Sequence, residues 1–199
     1  MEQQTSSSAT GLNDQLLIAM PQLEDSFFEN SVIYMWQHSD EGAIGIALNL
    51  PLPIKLSELL EQLGIEDERP HGSSQTVLCG GPVEPNKGFI LHDNLHHKDS
   101  EFRSWDATLT LGNNLFITTS QDILEDIALG KGPQNYFVIL GCSGWGPGQI
   151  EQEITQNSWF SCPANKALIF STEFDNKAEL AAASLGFELS QLSSDQGSC

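Results

Sequence analysis

The chain has few cations. Of its 199 residues only 8 are Lys or Arg, against 27 Asp or Glu, for a formal charge of -19. The cations are Lys55, Arg69, Lys87, Lys98, Arg103, Lys131, Lys166 and Lys177, none closer than five positions to the next. No basic run or basic helix exists to seed a phosphate-binding patch, so direct contact with nucleic acid is not expected. An anionic membrane surface is disfavoured for the same reason. Solubility is the simplest role of the acidity. No apolar run approaches the length of a membrane span. The start, Met1-Glu2-Gln3-Gln4-Thr5-Ser6-Ser7-Ser8, lacks the positive and apolar regions of a secretory signal. The four cysteines, Cys79, Cys142, Cys162 and Cys199, form no C-x-x-C pair. Free thiols in a reducing compartment, and so a cytoplasmic location, are expected. Cys79 and Cys142 each end an apolar run and read as small buried hydrophobes.

What is present is globular, with 39% hydrophobic residues. One domain over residues 12–187 is expected, between polar tails at 1–11 and 188–199. Short apolar runs alternate with Gly, Pro and Asn punctuation, and no fixed-period repeat occurs. The runs predict strands over 16–20, 31–37, 43–49, 76–79, 88–92, 107–111, 115–119, 136–141 and 167–170. Thr108-Leu109-Thr110-Leu111 alternates as a half-wet strand should, whereas Tyr136-Phe137-Val138-Ile139-Leu140 predicts a central strand covered on both faces. Gly112-Asn113-Asn114 predicts a hairpin turn. Leu56, Leu59, Leu60 and Leu63 predict a helix stopped by Gly64. Ser120 is placed to cap a second helix carrying Ile123, Leu124 and Ile127. A third is expected over 177–185, and a short one after Pro147-Gly148. Residues 64–75 read as a loop. Many strands with few, irregularly placed helices point to an α+β fold, mostly antiparallel.

Glycines concentrate in Gly80-Gly81-Pro82 and in the 141–148 segment, both directly after predicted strands. Such loops can cradle an anion at a helix start. Neither matches a phosphate-loop or dinucleotide fingerprint, and Glu151 and Glu153 would repel phosphate, so structural turns are favoured. Asp93, His96, His97 and Asp99 have zinc-ligand chemistry. His92 and His96 would have ligand spacing only on a helix, and a strand is predicted there; no metal is expected. Gly141-Cys142-Ser143-Gly144 is not a nucleophile elbow. Glu151 and Glu153 point to different faces if helical. Trp145, between two glycines, either packs over a turn or faces a pocket, with packing favoured.

These residues carry a family resemblance. Leu17-Ile18-Ala19-Met20-Pro21 with Asp25 and Phe28, then His38, Gly42-Ala43-Ile44-Gly45 and Asn49, form the opening motifs. Gly80-Gly81-Pro82-Val83 and Gly88-Phe89-Ile90-Leu91-His92 follow. The closing block is Gly141, Gly144-Trp145-Gly146, Gly148-Gln149-Ile150-Glu151, Glu153-Ile154 and Asn157-Ser158-Trp159. In this order they resemble the AlgH/YqgE family of bacterial proteins over residues 11–186. Leu50 stands where the family often has a basic residue, and Cys142 where an aromatic one is common. The resemblance implies a single α+β domain whose bifurcated sheet folds into a pseudo-barrel with a few short helices. It implies an intracellular protein. The family name comes from a role suggested in transcriptional regulation of alginate production, and no activity or cofactor comes with it.

The candidate functional cluster is His38, Asn49, Gly80, Gly81, His92, Gly144, Trp145, Gln149, Glu151 and Glu153. Most of these fall at predicted strand ends, which often share one edge of a fold. The favoured function is a transcriptional regulator acting through a protein partner or small ligand, without direct DNA binding and without a membrane. The alternative is an enzyme using His38 and His92 with Glu151 and Glu153 in a cleft lined by the glycine loops.

Overall fold

The computed structural model describes residues 11–23, 27–69, 75–93, 105–186 and 188–189. His96, His97, Asp99 and Cys199 lie outside them. Among the described residues ten strands and five short α-helices follow one another along the chain. The strands are β1 (Gln15–Ala19), β2 (Val32–Ser39), β3 (Gly42–Ala47), β4 (Pro51–Lys55), β5 (Thr76–Cys79), β6 (Val83–Asp93), β7 (Thr108–Thr110), β8 (Leu115–Thr118), β9 (Tyr136–Trp145) and β10 (Trp159–Pro163). The helices are α1 (Leu56–Gln62), α2 (Asp122–Ala128), α3 (Gln149–Thr155), α4 (Lys166–Ile169) and α5 (Lys177–Ala183). The fold is α+β, and its mostly antiparallel sheet curls into a half-barrel. The strand order is β10-β1-β2-β3-β9-β6-β8-β7, with β4 and β5 as a spur on β9.

The sheet forks along β9, the central strand expected from its apolar run. Ile139 and Leu140 pair with Leu78 and Cys79 of β5, the one parallel pairing among the described strands. Further on, Ser143, Gly144 and Trp145 pair with Gly45, Ile44 and Ala43 of β3. Between these two partners the chains approach closely. A side chain at Gly81 (φ +150) would collide with the Cys142 carbonyl, and one at Gly141 (φ +75) with the Gly81 carbonyl. The Ser143 hydroxyl, fully buried, donates to the Gly80 carbonyl at 3.0 Å. Both glycine motifs therefore serve the fork. The 141–145 segment, expected as a loop, continues β9, because here the glycines allow two backbones to meet rather than end a strand.

Three apolar clusters fill the fold. The half-barrel interior holds Leu16, Tyr34, Ile46, Leu91 and Ile139 and is plugged by Leu168 and Ile169 of α4 and Ala178 and Ala181 of α5. The helices α1 and α2 contribute Leu56, Leu60, Ile123 and Ile127 to a second cluster with Ile90 and Val138. The helix α3 sets Ile150 into a third, with Leu17, Ala19, Ile33, Trp145 and Trp159. At one corner the Gly112–Asn114 turn ties β8 to β1: Asp14 Oδ1 accepts from the Gly112 N–H and from the buried Tyr34 hydroxyl.

Four local expectations need correction. The strand predicted over 167–170 is the helix α4, whose start is capped by Asn165 Oδ1 accepting from the Leu168 N–H at 2.9 Å. Two strands were not anticipated: β4, whose prolines suit only an edge-type strand, and β10. The helix α2 starts at Asp122 with Gln121 at its cap, while the Ser120 hydroxyl bonds Asp122 and the Asp106 carbonyl. On β7 the alternation is lost rather than kept: Leu109 and Thr110 are both exposed, Leu111 packs against the core, and Thr108 bonds Thr118.

Candidate functional site

The polar residues that meet do so where β2, β3 and β9 end together. The register places His38 opposite Ala43, and Ala43 opposite Trp145. The chain leaves β9 through Gly146-Pro147-Gly148 and turns at once into α3. Glu151 and Glu153 then sit two positions apart on one helix and project to different sides. Glu151 reaches outward to His38, with Nε2 and Oε1 2.6 Å apart. The other ring nitrogen of His38, Nδ1, accepts the Leu12 N–H at 3.1 Å. That bond fixes the tautomer, so Nε2 carries the proton and donates to Glu151. The Glu151 carboxyl is held below the usual carboxylate range, chiefly by its own backbone N–H at the helix start, and further by His38.

Glu153 points under α3. Its Oε2 accepts from the indole N–H groups of Trp145 at 2.9 Å and Trp159 at 2.8 Å. Its Oε1 accepts from the Gln149 amide at 2.8 Å, and Gln149 in turn accepts the Gly146 N–H. Among the described residues no Lys, Arg or His lies within ion-pair distance of this carboxylate. The two indoles meet edge to face with centroids 6.0 Å apart, and Phe28 lies against both. Trp145 and Trp159 are buried, so Trp145 packs as expected.

The family model described as AlgH-like (DUF179) matches residues 16–190. The chain belongs to this family. Among AlgH-like relatives, a UPF0301 protein of Xanthomonas axonopodis pv. citri is 42% identical over 188 residues, covering 94% of this chain and 96% of its own length. A UPF0301 protein of Alcanivorax borkumensis is 43% identical over the same shares. The solution structure of the AlgH protein from Pseudomonas aeruginosa matches with a TM-score of 0.75 and 38% identity over the whole of both chains. A crystal structure from Corynebacterium diphtheriae, 18% identical, shares the fold with a TM-score of 0.70, covering 92% of this chain and 91% of that one.

Within this AlgH-like fold the ten candidate residues do not form one cluster. His38, Gly144, Trp145, Gln149, Glu151 and Glu153 come together at the α3 end of β9. Gly80 and Gly81 lie at the fork. His92 pairs with Tyr136 at the opposite end of β9. Nine residues separate Tyr136 from Trp145, about 30 Å along an extended strand. The enzyme reading that joined His92 to His38 is therefore not assembled. His92 is buried between Trp105, which it meets edge-on, and Phe116, on which it stacks. It bonds the Thr118 hydroxyl at 2.9 Å and the Asp93 carbonyl at 3.1 Å. Burial pushes its pKa down, which favours the neutral ring. Asn49 lies past the far end of β3, where its side chain bonds the Val32 N–H and the carbonyls of Asn30 and Phe174. Phe28 and Trp159 stand in the motifs that carry the family resemblance, yet neither was expected in the candidate cluster. Among the described residues no group of three or more His, Cys, Asp or Glu is placed to hold a metal ion. Nor is any helix there long and apolar enough to cross a membrane.

Proposed function

We propose that this chain is a cytoplasmic regulatory binding protein that acts through a protein partner or small ligand, and that any influence on transcription is exerted without DNA contact by the chain itself. The transcriptional element rests on the family resemblance. The observation that carries the binding reading is the full engagement of His38. Both its nitrogens already have partners, one a backbone N–H and the other Glu151. A general base needs a nitrogen or carboxylate oxygen within reach of a substrate proton. Glu153 accepts three N–H donors, which weaken it as a base and leave its negative charge without a cation among the described residues. The charge of -19 supports the second half of the proposal, since it opposes phosphate contacts and favours a basic partner. The test uses the full chain. A partner captured from native cells should bind the purified protein saturably, while duplex DNA at physiological salt gives no anisotropy change. Tight, salt-sensitive DNA binding overturns the proposal.

A further inference from the structure

Beside the third apolar cluster stand an anion that meets no cation among the described residues and a buried hydroxyl with no partner. The Glu153 carboxylate is met by N–H donors alone, two of them indoles. Ser31 is fully buried, and its Oγ has no hydrogen-bond partner. A buried, unbonded hydroxyl is uncommon in a folded protein and calls for a reason. Strand pairing explains where it points. The Ala19 N–H donates to the Ser31 carbonyl, so Ser31 stands beside Ala19, which pairs in turn with Trp159. Ser31 also alternates with Val32 and shares a face with Ile33. Ala19, Ile33 and Trp159 all belong to the cluster that contains Trp145. The orphaned hydroxyl therefore faces the tryptophan side of the sheet, across a floor kept shallow by Ala19.

Phe28 covers this floor. Its ring is near-parallel to Trp145 (23°, centroids 6.4 Å) and edge-on to Trp159 (68°, 5.6 Å). It belongs to a short turn rather than to the sheet. The turn is tied at its base by the Ser31 N–H donating to the Phe28 carbonyl and by the Asn49 amide donating to the Asn30 carbonyl. The turn's other aromatic, Phe27, is 47% exposed and touches Phe28 edge-on. Rotation of the Phe28 side chain vacates its place against the two indoles. What remains is a slot walled by two indoles, with a carboxylate at one end and a hydroxyl on the floor. Aromatic faces beside an uncompensated anion select an organic cation, above all a methylated ammonium.

We propose that Phe28 occupies a binding slot for an alkylated ammonium group, with Trp145 and Trp159 as walls, Glu153 as counter-charge and Ser31 as the polar contact on the floor. This deepens the ligand half of the proposed function and rests on it. The cation can be a free small molecule or the side chain of a methylated lysine on a partner.

Choline is the probe, and the indole N–H resonances of Trp145 and Trp159 are the readout in the full-length protein. Choline should shift both signals saturably. The Phe28→Ala variant should bind it about ten-fold more tightly, because the slot no longer has to be vacated. The neutral isostere 3,3-dimethyl-1-butanol should not compete. If Phe28→Ala does not fold, Phe28→Leu and the wild type give the same reading. A trimethyllysine peptide that binds more tightly than choline assigns the cation to a partner, and equal affinity assigns it to a free ligand; both support the slot. No response of either indole, or an isostere as effective as choline, overturns it. Partner capture without a choline response would sink this site alone, whereas DNA binding would sink the regulatory reading alone.

Discussion

Glu153 and Lys177 carry opposite charges, one half-buried and one fully buried, and among the described residues neither has an ion-pair partner. Glu153 holds three N–H donors from side chains. Lys177 is fully buried, and its Nζ donates to three backbone carbonyls, those of Leu168 at 3.0 Å, Ile169 at 2.9 Å and Ser171 at 2.7 Å. Those carbonyls close the C-terminal end of α4, where a helix lacks donors of its own and favours a cation. Phe137 and Phe174 present ring faces to the same ammonium, at 5.4 and 5.9 Å. The difference lies in what surrounds each charge. Carbonyls on a fixed backbone cannot turn elsewhere, so Lys177 locks α4 and α5 into the half-barrel. The partners of Glu153 are side chains at a partly open site, so its charge remains available to a cation.

Lys177 should give the largest effects. Lys177→Ala would take the ammonium donor from the Leu168, Ile169 and Ser171 carbonyls, of which Leu168 keeps the Ser171 N–H, and empty the space of its stem, and should cost about 3–4 kcal/mol in urea unfolding. A loss below 1 kcal/mol would end the claim that it locks the two helices. The same amine should mark the pH profile. Burial lowers its pKa from 10.5 to about 8. Below pH 8 both folded and unfolded chains carry the proton, and its burial cost is constant. Between 8 and 10.5 the unfolded chain binds more protons, so this group makes stability rise with pH until both states are neutral. From pH 7.5 to 9.5 the gain should be about 2 kcal/mol. Tyr34, Cys142 and Cys162, whose pKa values burial raises, act in the opposite direction at high pH. The measurement is therefore the difference between wild type and Lys177→Met, which should vary with pH in that sense. A flat difference would refute it. Smallest should be the carboxylates: Glu153→Gln, losing charge-assisted bonds to two indoles, about 1–2 kcal/mol with a shift in tryptophan emission. The exposed Glu151→Gln should stay within about 0.5 kcal/mol. Equal losses would erase the distinction between the two faces of α3.

Much of the fold was legible in the sequence because its strands announce themselves by local composition. The run from Tyr136 to Leu140 has no polar residue to leave wet, and it lies at the centre of the sheet. Gly64 follows α1 in the left-handed region that a helix stop uses. Legibility failed where a residue's meaning depends on a distant neighbour. Gly141 and Gly144 look like loop residues until Gly80 and Gly81 are seen pressed against the strand that contains them. The split of Glu151 from Glu153 followed from helical geometry alone. The separation of His38 from His92 could not be read, since both end predicted strands and only the strand order sends them to opposite ends of β9. Lys177 is, in the sequence, one scattered cation at the start of a predicted helix. Nothing in sequence reveals that α4 ends against it.

The pairing of β1 with β10 has a consequence for synthesis. Residues 15–19 find their partner at 159–163, so the first of the described strands waits for the last of them. At roughly 5–20 residues per second that wait is of the order of ten seconds. During it, one edge of β1 can pair with β2, but the other remains open to any extended chain nearby. The strand β9 arrives just before β10 and must find β3, β5 and β6 at separations of tens of residues, a topology that slows folding. A nascent chain truncated before residue 159 should therefore be unusually dependent on chaperones that cover exposed strand edges, and release of the last forty residues should mark the moment that dependence ends.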